Sequence, residues 1–478
     1  MGTTARGSAP GGEIEEMLDA HEQLAQRIVD REAELPPRSP GALPDDLRPA
    51  AAGRPLAAVV EALGKVLDRT PSAASPRFFN QLFGGRDRAA TLAEMLVPLT
   101  NTSMYTFKVA GTQVLLEQEV LARMARFAGF PDGEGSLTPG GSLSNLLAMM
   151  IARNEALEHA REEGVGGRAT AVYTSDQGHY SIRKNAGILG LGRRAVREIP
   201  SDHRGRMRVE ALRSALLRDR ADGILPLMIN ATAGTTVLGA FDPISEIADL
   251  AAEQGVWLHV DGALGASALL SPQHRGLLEG VDRADSLTWN AHKMMGVPLS
   301  CSALLLRRRG LLTGHLNEQA DYLFQADHDA LNPGTRSIQC GRRNDALKLW
   351  AAWMHHGDEG YRQRIDKLFA LARHAARRIA GDPAFELLLE PESVNVCFCV
   401  RGHSSPALCR TLDQRRVLKI GHGMALGRRA IRLVCVNPDL DEAAIDATLD
   451  SILETAASLS PPTGGITSES GSCGANNV

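Results

Sequence analysis

The sequence predicts an α/β protein: a mostly parallel sheet with helices on both faces, preceded by a helical segment and followed by a small α/β unit. Three observations point there. The middle of the chain alternates short apolar strands with amphipathic helices, the pattern of repeated βαβ units. Residues 256–260 (VWLHV) read as a strand buried in such a sheet, and residues 223–231 (GILPLMINA) as its clearest companion. After a long helical stretch the alternation resumes in residues 394–456.

Taken in order, residues 1–12 are rich in Gly, Ser and Thr and are expected to be disordered. Apolar residues at helical spacing predict a helix over residues 13–33, ended by Pro36, Pro37, Pro40 and Pro44. A second helix covers about 55–67, and residues 89–128 read as mostly helical. Strands follow at 170–174, 223–231, 256–260, 286–290 and 302–306, with an amphipathic helix at 244–254. Residues 342–381 are helical, 394–400 and 430–436 are strands, and 440–456 is a helix. Residues 459–478 read as a flexible tail. The expected division is a helical arm at 13–100, a large unit at 101–345 and a small one at 346–458.

Composition narrows the function. A chain of 478 residues with 44% hydrophobic residues can bury a sizeable core. A net charge of −4 gives no electrostatic footprint for nucleic acid or an anionic membrane. No apolar run reaches membrane-spanning length, and no apolar stretch resembling a secretory leader opens the chain. Seven cysteines without a CxxC motif fit a reduced, cytoplasmic protein.

Four elements carry chemistry. Lys293 follows the strand 286–290, where an unpaired buried ammonium is costly unless it serves as an imine-forming lysine. Asp261 closes the strand VWLHV, where a carboxylate suits the pyridine nitrogen of pyridoxal 5′-phosphate (PLP). Gly140, Gly141 and Ser142 open a helix, an arrangement of free N–H groups that suits a phosphate. His179 follows a strand and could stack on a flat ring. Each element has an ordinary alternative: a surface lysine, an N-cap aspartate, a capped helix, a solvated histidine. Their order along residues 138–293 is what makes them informative together. In an α/β sheet such residues meet at the carboxyl ends of the strands.

The chain resembles the group II PLP-dependent amino-acid decarboxylases, in the glutamate, cysteine-sulfinate and aspartate decarboxylase branch. The resemblance spans roughly residues 55–455. It rests on residues 75–82 (SPRFFNQL), 101–107 (NTSMYTF), 137–145, 175–181, 231–243 (ATAGTTVLGAFDP), 259–265, 286–303 (SLTWNAHKMMGVPLSCSA), 338–342 (IQCGR) and 432–438 (RLVCVNP). It implies fold type I, like aspartate aminotransferase, with a seven-stranded sheet, and a homodimer joined through the N-terminal segment. It implies that Lys293 carries PLP as an imine and that Asp261 pairs with the pyridine nitrogen. His179 and Ala263 would cover the two ring faces. Gly141 and Ser142 would hold the phosphate beside Asn290 and His292, with Thr236 near the ring hydroxyl or phosphate. Arg432 would bind the substrate α-carboxylate, with Gln81 in the pocket. Phe83 and Ser103 resemble the cysteine-sulfinate pattern, and a Phe would shorten the pocket. The implied substrate is therefore a short acidic amino acid: cysteine sulfinate, cysteate, aspartate or a substituted aspartate such as 3-methylaspartate.

The chain also departs from the family. Gly262 and Leu264 stand where relatives carry Ala and Trp, and Lys108 and Gly111 replace Glu and Pro. In the loop 322–336 (YLFQADHDALNPGTR), Leu331 occupies the position of the family's catalytic tyrosine, a proton donor. His328 or His179 is the expected substitute. Other readings are decarboxylation coupled to oxidative deamination, a substrate tethered to a carrier protein, and a catalytically dead PLP-free scaffold.

Overall fold

The computed structural model describes residues 10–36, 41–49, 51–318 and 331–459. Its central sheet has seven strands: β1 (Glu134–Thr138), β2 (Thr170–Ser175), β3 (Val196–Ile199), β4 (Leu225–Thr232), β5 (Trp257–Asp261), β6 (Ser286–Asn290) and β7 (Ser302–Leu306). Their order is β1-β7-β6-β5-β4-β2-β3. β2 to β6 pair in parallel, and only β7 runs against its neighbours, β1 and β6. β1 therefore points the same way as β6. The ends of β1, β2, β4, β5 and β6 all open on one edge of the sheet.

The central strands are buried on both faces, which is why they read as continuous apolar runs. Alternation sorts their side chains: Leu304 and Leu306 of β7 join one core, Ala303 and Leu305 the other. The crossover helix Ile244–Gln254 buries Ile244, Ile247, Ala248, Leu250 and Ala251. It ends at Gly255, whose φ of 58° and ψ of 41° make the left-handed cap that feeds β5.

A second sheet lies towards the C-terminus, in the order β10-β11-β9-β8, entirely antiparallel. Its strands are β8 (Phe385–Leu387), β9 (Asn395–Val400), β10 (Gly421–Ala425) and β11 (Arg428–Val434). The long helix Ala346–Ala380 leads into it, helix Ser405–Gln414 packs on it, and helix Glu442–Ala457 packs against those two helices. A short N-terminal stretch is stitched to this sheet. Phe79 N–H donates to the Lys419 carbonyl at 2.8 Å, and Lys419 N–H to the Arg77 carbonyl at 2.9 Å.

Sequence and structure differ at identifiable points. The first helix runs Pro10–Asp30, starting before the apolar periodicity, with proline at its first position. β1, β3, β8 and β10 carry no sequence signal strong enough to find them: they are short, or rich in Gly, Ser and charge. The stretch read as one helix from 342 starts at Ala346 and breaks at Gly357 (φ 62°, ψ −172°), a conformation open to glycine.

Candidate active site

At that sheet edge, β5 delivers Asp261, 4% exposed, and β6 delivers Asn290, with His292 and Lys293 in the turn beyond it. The helix Gly141–Ala156 starts directly after β1, and no side chain caps its first turn. A Cβ added to Gly141 would lie 2.9 Å from Asn290 Nδ2 and 3.4 Å from the Ala263 methyl. The helix start, Asn290 and Ala263 thus face one cradle that only a glycine leaves open. Asn290 Oδ1 accepts from Ser302 Oγ at 2.6 Å. Asn290 Nδ2 lies 3.3 Å from His292 Nε2, and His292 Nδ1 lies 2.8 Å from the Cys301 carbonyl.

Asp261 has only neutral hydrogen-bond donors among the described residues. Asn145 Nδ2 donates to Oδ2 at 2.8 Å, and Ala263 N–H donates to Oδ1 at 3.1 Å. His179 Nδ1 lies 2.8 Å from Ser181 Oγ. Arg432, on β11, donates from Nη1 to the Thr236 carbonyl at 2.7 Å and from Nη2 to the Asn80 carbonyl at 2.8 Å. Its Nε is buried and has no hydrogen-bond partner among the described residues.

Burial sets the protonation of the cluster. It lowers the Lys293 ammonium to about 8, with Asp261 opposing and Arg432 reinforcing the shift. It lowers His292 to about 4 and moves His179 below the ordinary imidazole range. Both imidazoles are therefore neutral near pH 7, and the lysine can shed its proton there at modest cost. A lysine ready to become an amine, a carboxylate with no protein cation bonded to it, and an open helix N-terminus are what PLP requires of its host. The donor set fits.

The structure brings Gly141, Ala263, Asn290 and His292 together around the Gly141 cradle. Lys293, Asp261, His179 and Arg432 stand close enough for their charges to act on one another. The Thr236 carbonyl and the residue before Gln81 hold Arg432, and Gln81 itself is exposed. Ser142 is fixed by its carbonyl, which accepts from Asn185 Nδ2 at 2.9 Å. Phe83 lies tilted against Phe78, with ring centroids 6.3 Å apart, and shares an apolar cavity with His292 and Leu299. Ser103 Oγ instead accepts from Arg342 N–H at 3.3 Å, beside a buried Arg342–Glu117 ion pair. His328 lies outside the described residues, and Leu331 is half-buried near Arg336 and Arg342. Sequence reading did not single out Asn145, His259 or Thr288, which reach the site only through long-range pairing, or Ser181, which bonds His179 two residues away.

Fold and site together define a PLP-dependent amino-acid decarboxylase. The family described as "Pyridoxal-dependent decarboxylase conserved domain" matches residues 46–401, and the chain belongs to it. It is 43% identical over 417 residues to the cysteine sulfinic acid decarboxylase of Mus musculus, covering 82% of this chain and 85% of that one. It is 36% identical over 430 residues to the acidic amino acid decarboxylase GADL1 of Homo sapiens, covering 85% and 82%. The crystal structure of mouse CSAD superposes with a TM-score of 0.86 at 36% identity, covering 92% of this chain and 98% of that chain.

Proposed function

We propose that the chain removes the α-carboxyl group of a short acidic L-amino acid, such as cysteine sulfinate, cysteate, aspartate or 3-methylaspartate, and releases CO2 and the matching amine. One observation carries the reading. Arg432 is clamped by two carbonyls yet its buried Nε has no partner among the described residues, a fixed cation with donor capacity to spare for a carboxylate. The mouse relative, a cysteine sulfinic acid decarboxylase, and the human one, an acidic amino acid decarboxylase, support an acidic substrate.

In this reading Gly141, Ser142, Asn290 and His292 hold the phosphate, Asp261 the ring nitrogen, and His179 and Ala263 the ring faces, with Thr236 beside them. Lys293 holds the cofactor covalently. Bound PLP supplies an aldehyde for the substrate amine and a ring that accepts the electron pair left when CO2 departs. Arg432 would bind and orient the substrate carboxylate, fixing which bond at Cα is broken. Loss of CO2 would leave its bonding pair shared between Cα and the ring, and one proton delivered to Cα would restore the balance. His179 is neutral, and with Nδ1 occupied by Ser181 it has Nε2 left to handle that proton. Phe83 would limit side-chain length and Gln81, next to the Asn80 that holds Arg432, would line the pocket, whereas Ser103 is engaged by the Arg342 N–H.

A homodimer accompanies this reading. The helices Leu56–Leu67 and Arg88–Thr100 leave Leu63, Leu92, Leu96 and Leu99 exposed, and with Ile14 and Met17 they form an apolar face that calls for a partner.

The deciding experiment follows CO2, amine, ammonia and peroxide with purified PLP-loaded protein over cysteine sulfinate, cysteate, aspartate, 3-methylaspartate and glutamate. Equal CO2 and amine from the short acids, with glutamate at least ~10-fold slower, is the expected result. Glutamate as the best substrate would overturn the pocket assignment. Ammonia and peroxide would establish the oxidative reaction. A loaded protein that ignores every free acid would point to a tethered substrate.

A further inference from the structure

Behind the proposed cofactor contacts lies a buried polar network centred on one side chain. Asn145 stands one turn into the helix Gly141–Ala156 and is 1% exposed. One hydrogen of its amide goes to Asp261 Oδ2 at 2.8 Å and the other to Ser181 Oγ at 3.1 Å. Its Oδ1 accepts from Thr288 Oγ1 at 2.7 Å and meets His259 Nε2 at 3.1 Å. All four hydrogen-bonding positions of the amide are used, which fixes its orientation.

That orientation fixes the rest. Asn145 Oδ1 can only accept, so His259 must carry its proton on Nε2. His259 Nδ1 then accepts from Ser286 Oγ at 2.8 Å, and Ser286 Oγ accepts from Trp257 Nε1 at 2.9 Å. On the other side, Ser181 Oγ accepts from Asn145, and because the Ser181 N–H donates to His179 Nδ1 at 3.3 Å, that nitrogen is an acceptor and takes the Ser181 hydroxyl hydrogen at 2.8 Å. The donors run in a single direction, from the indole of Trp257 through His259 and Asn145 to the carboxylate of Asp261, with a branch to His179. Thr288 and Asp261 are register partners on adjacent strands, so the sheet itself holds the two ends of the network in place.

We propose that Asn145 is the positioning residue that locks the carboxylate of Asp261 and the ring of His179 into one geometry, so that the group facing the PLP nitrogen and the group covering the PLP ring cannot move independently. The inference rests on the PLP reading above. Asn145 has no hydrogen-bonding position left for substrate or cofactor, since protein groups take all four. It acts by holding both contacts from behind, on the helix whose first residues face the phosphate.

A purely structural role is the competing explanation, and Asn230 provides the control. It is fully buried in β4 beside His259 in the β4–β5 register, where its Nδ2 donates to Thr174 Oγ1 at 3.1 Å, and its side chain makes no hydrogen bond to Asn145, Asp261 or His179. Asn145→Ala, Thr288→Val and Asn230→Ala should be purified as full-length holoenzymes. The readouts are PLP dissociation constant, visible circular dichroism of the bound cofactor, kcat, KM and melting temperature. Losing a hydrogen bond to a charged group is worth a ~10- to 100-fold change in equilibrium. The expected result for Asn145→Ala is that loss in PLP affinity, an altered cofactor dichroism band, and kcat reduced more than KM is raised. Thr288→Val, which removes one donor to Asn145 and keeps the shape, should move the same readouts in the same direction by less. Asn230→Ala should lower the melting temperature and leave the dichroism band in place. If Asn145→Ala and Thr288→Val both keep wild-type affinity and dichroism, the assignment is overturned. It is overturned as well if Asn230→Ala shifts affinity and dichroism as far as Asn145→Ala does. Should Asn145→Ala fail to fold, Thr288→Val decides alone. Failure of the wild-type chain to take up PLP would refute the underlying reading instead.

Discussion

Single residues decide what the site can hold. Gly141 is the clearest case, because any side chain there meets the amide of Asn290. Gly141→Ala should weaken PLP binding at least ~10-fold while the melting temperature of the cofactor-free protein changes little, since the methyl enters the cradle rather than the core. Fluorescence titration and thermal melting separate the two effects. Arg432→Lys tests the carboxylate grip. A lysine keeps the charge but cannot span the Thr236 and Asn80 carbonyls and also present a planar fork. We expect kcat/KM to fall ~100-fold or more with PLP affinity preserved, as measured by steady-state kinetics beside a cofactor titration. At this scale the sequence was partly legible. Lys293, Asp261 and His179 stand just beyond or at recognisable strand ends, so their neighbourhood could be inferred. Asn145 could not be read in the same way. Its partners His259 and Thr288 lie 114 and 143 positions away, and no local periodicity encodes such contacts.

At the scale of elements, the helix Arg88–Thr100 depends on one aspartate. Asp87 caps it by accepting from Ala90 N–H at 2.9 Å, and its other oxygen meets His356 Nε2 at 2.5 Å and Arg364 Nη1 at 3.4 Å. Arg364 in turn donates to the Met294 carbonyl at 3.1 Å, next to Lys293. Asp87→Ala removes a cap and leaves a buried guanidinium without its carboxylate, a combined cost of about 3 kcal/mol or more. A fall in the urea midpoint is the expected outcome, and an unchanged midpoint would mean that water compensates both losses. Elements with continuous apolar character, β4 to β7, were found from sequence within a residue or two. β1 and β10 were missed because their stability comes from the neighbours β7 and β11, which their own glycines and polar residues do not reveal.

For the whole molecule, buried histidines set the acid limit. His259 and His292 are each pushed to about 4 by burial, below the ordinary value of about 6.5. Between those values the unfolded chain binds protons that the folded chain refuses, so acidification favours unfolding. Stability is therefore fully present above about pH 6.5 and declines as pH falls towards 4. Urea midpoints measured across that window should fall, and a His259→Asn variant, weaker overall, should fall less steeply. Assembly is testable on the same scale: Leu96→Glu and Leu99→Glu should convert a dimer to monomer in light scattering if the exposed apolar face is its interface. Fold class was legible here because strand and helix periods differ. The antiparallel sheet order was not, since register between distant strands leaves no mark on either one.

The proposed cofactor contacts come from residues 141–293, whereas Arg432 arrives from the second sheet and is held by carbonyls of two other segments. Holding the coloured cofactor and recognising the substrate are therefore separable failures. A lesion confined to β9–β11 should yield protein that is yellow but inert, and a lesion in the first set should yield protein that is colourless. Sorting inactive variants by colour alone would then reveal which part of the machine had been lost.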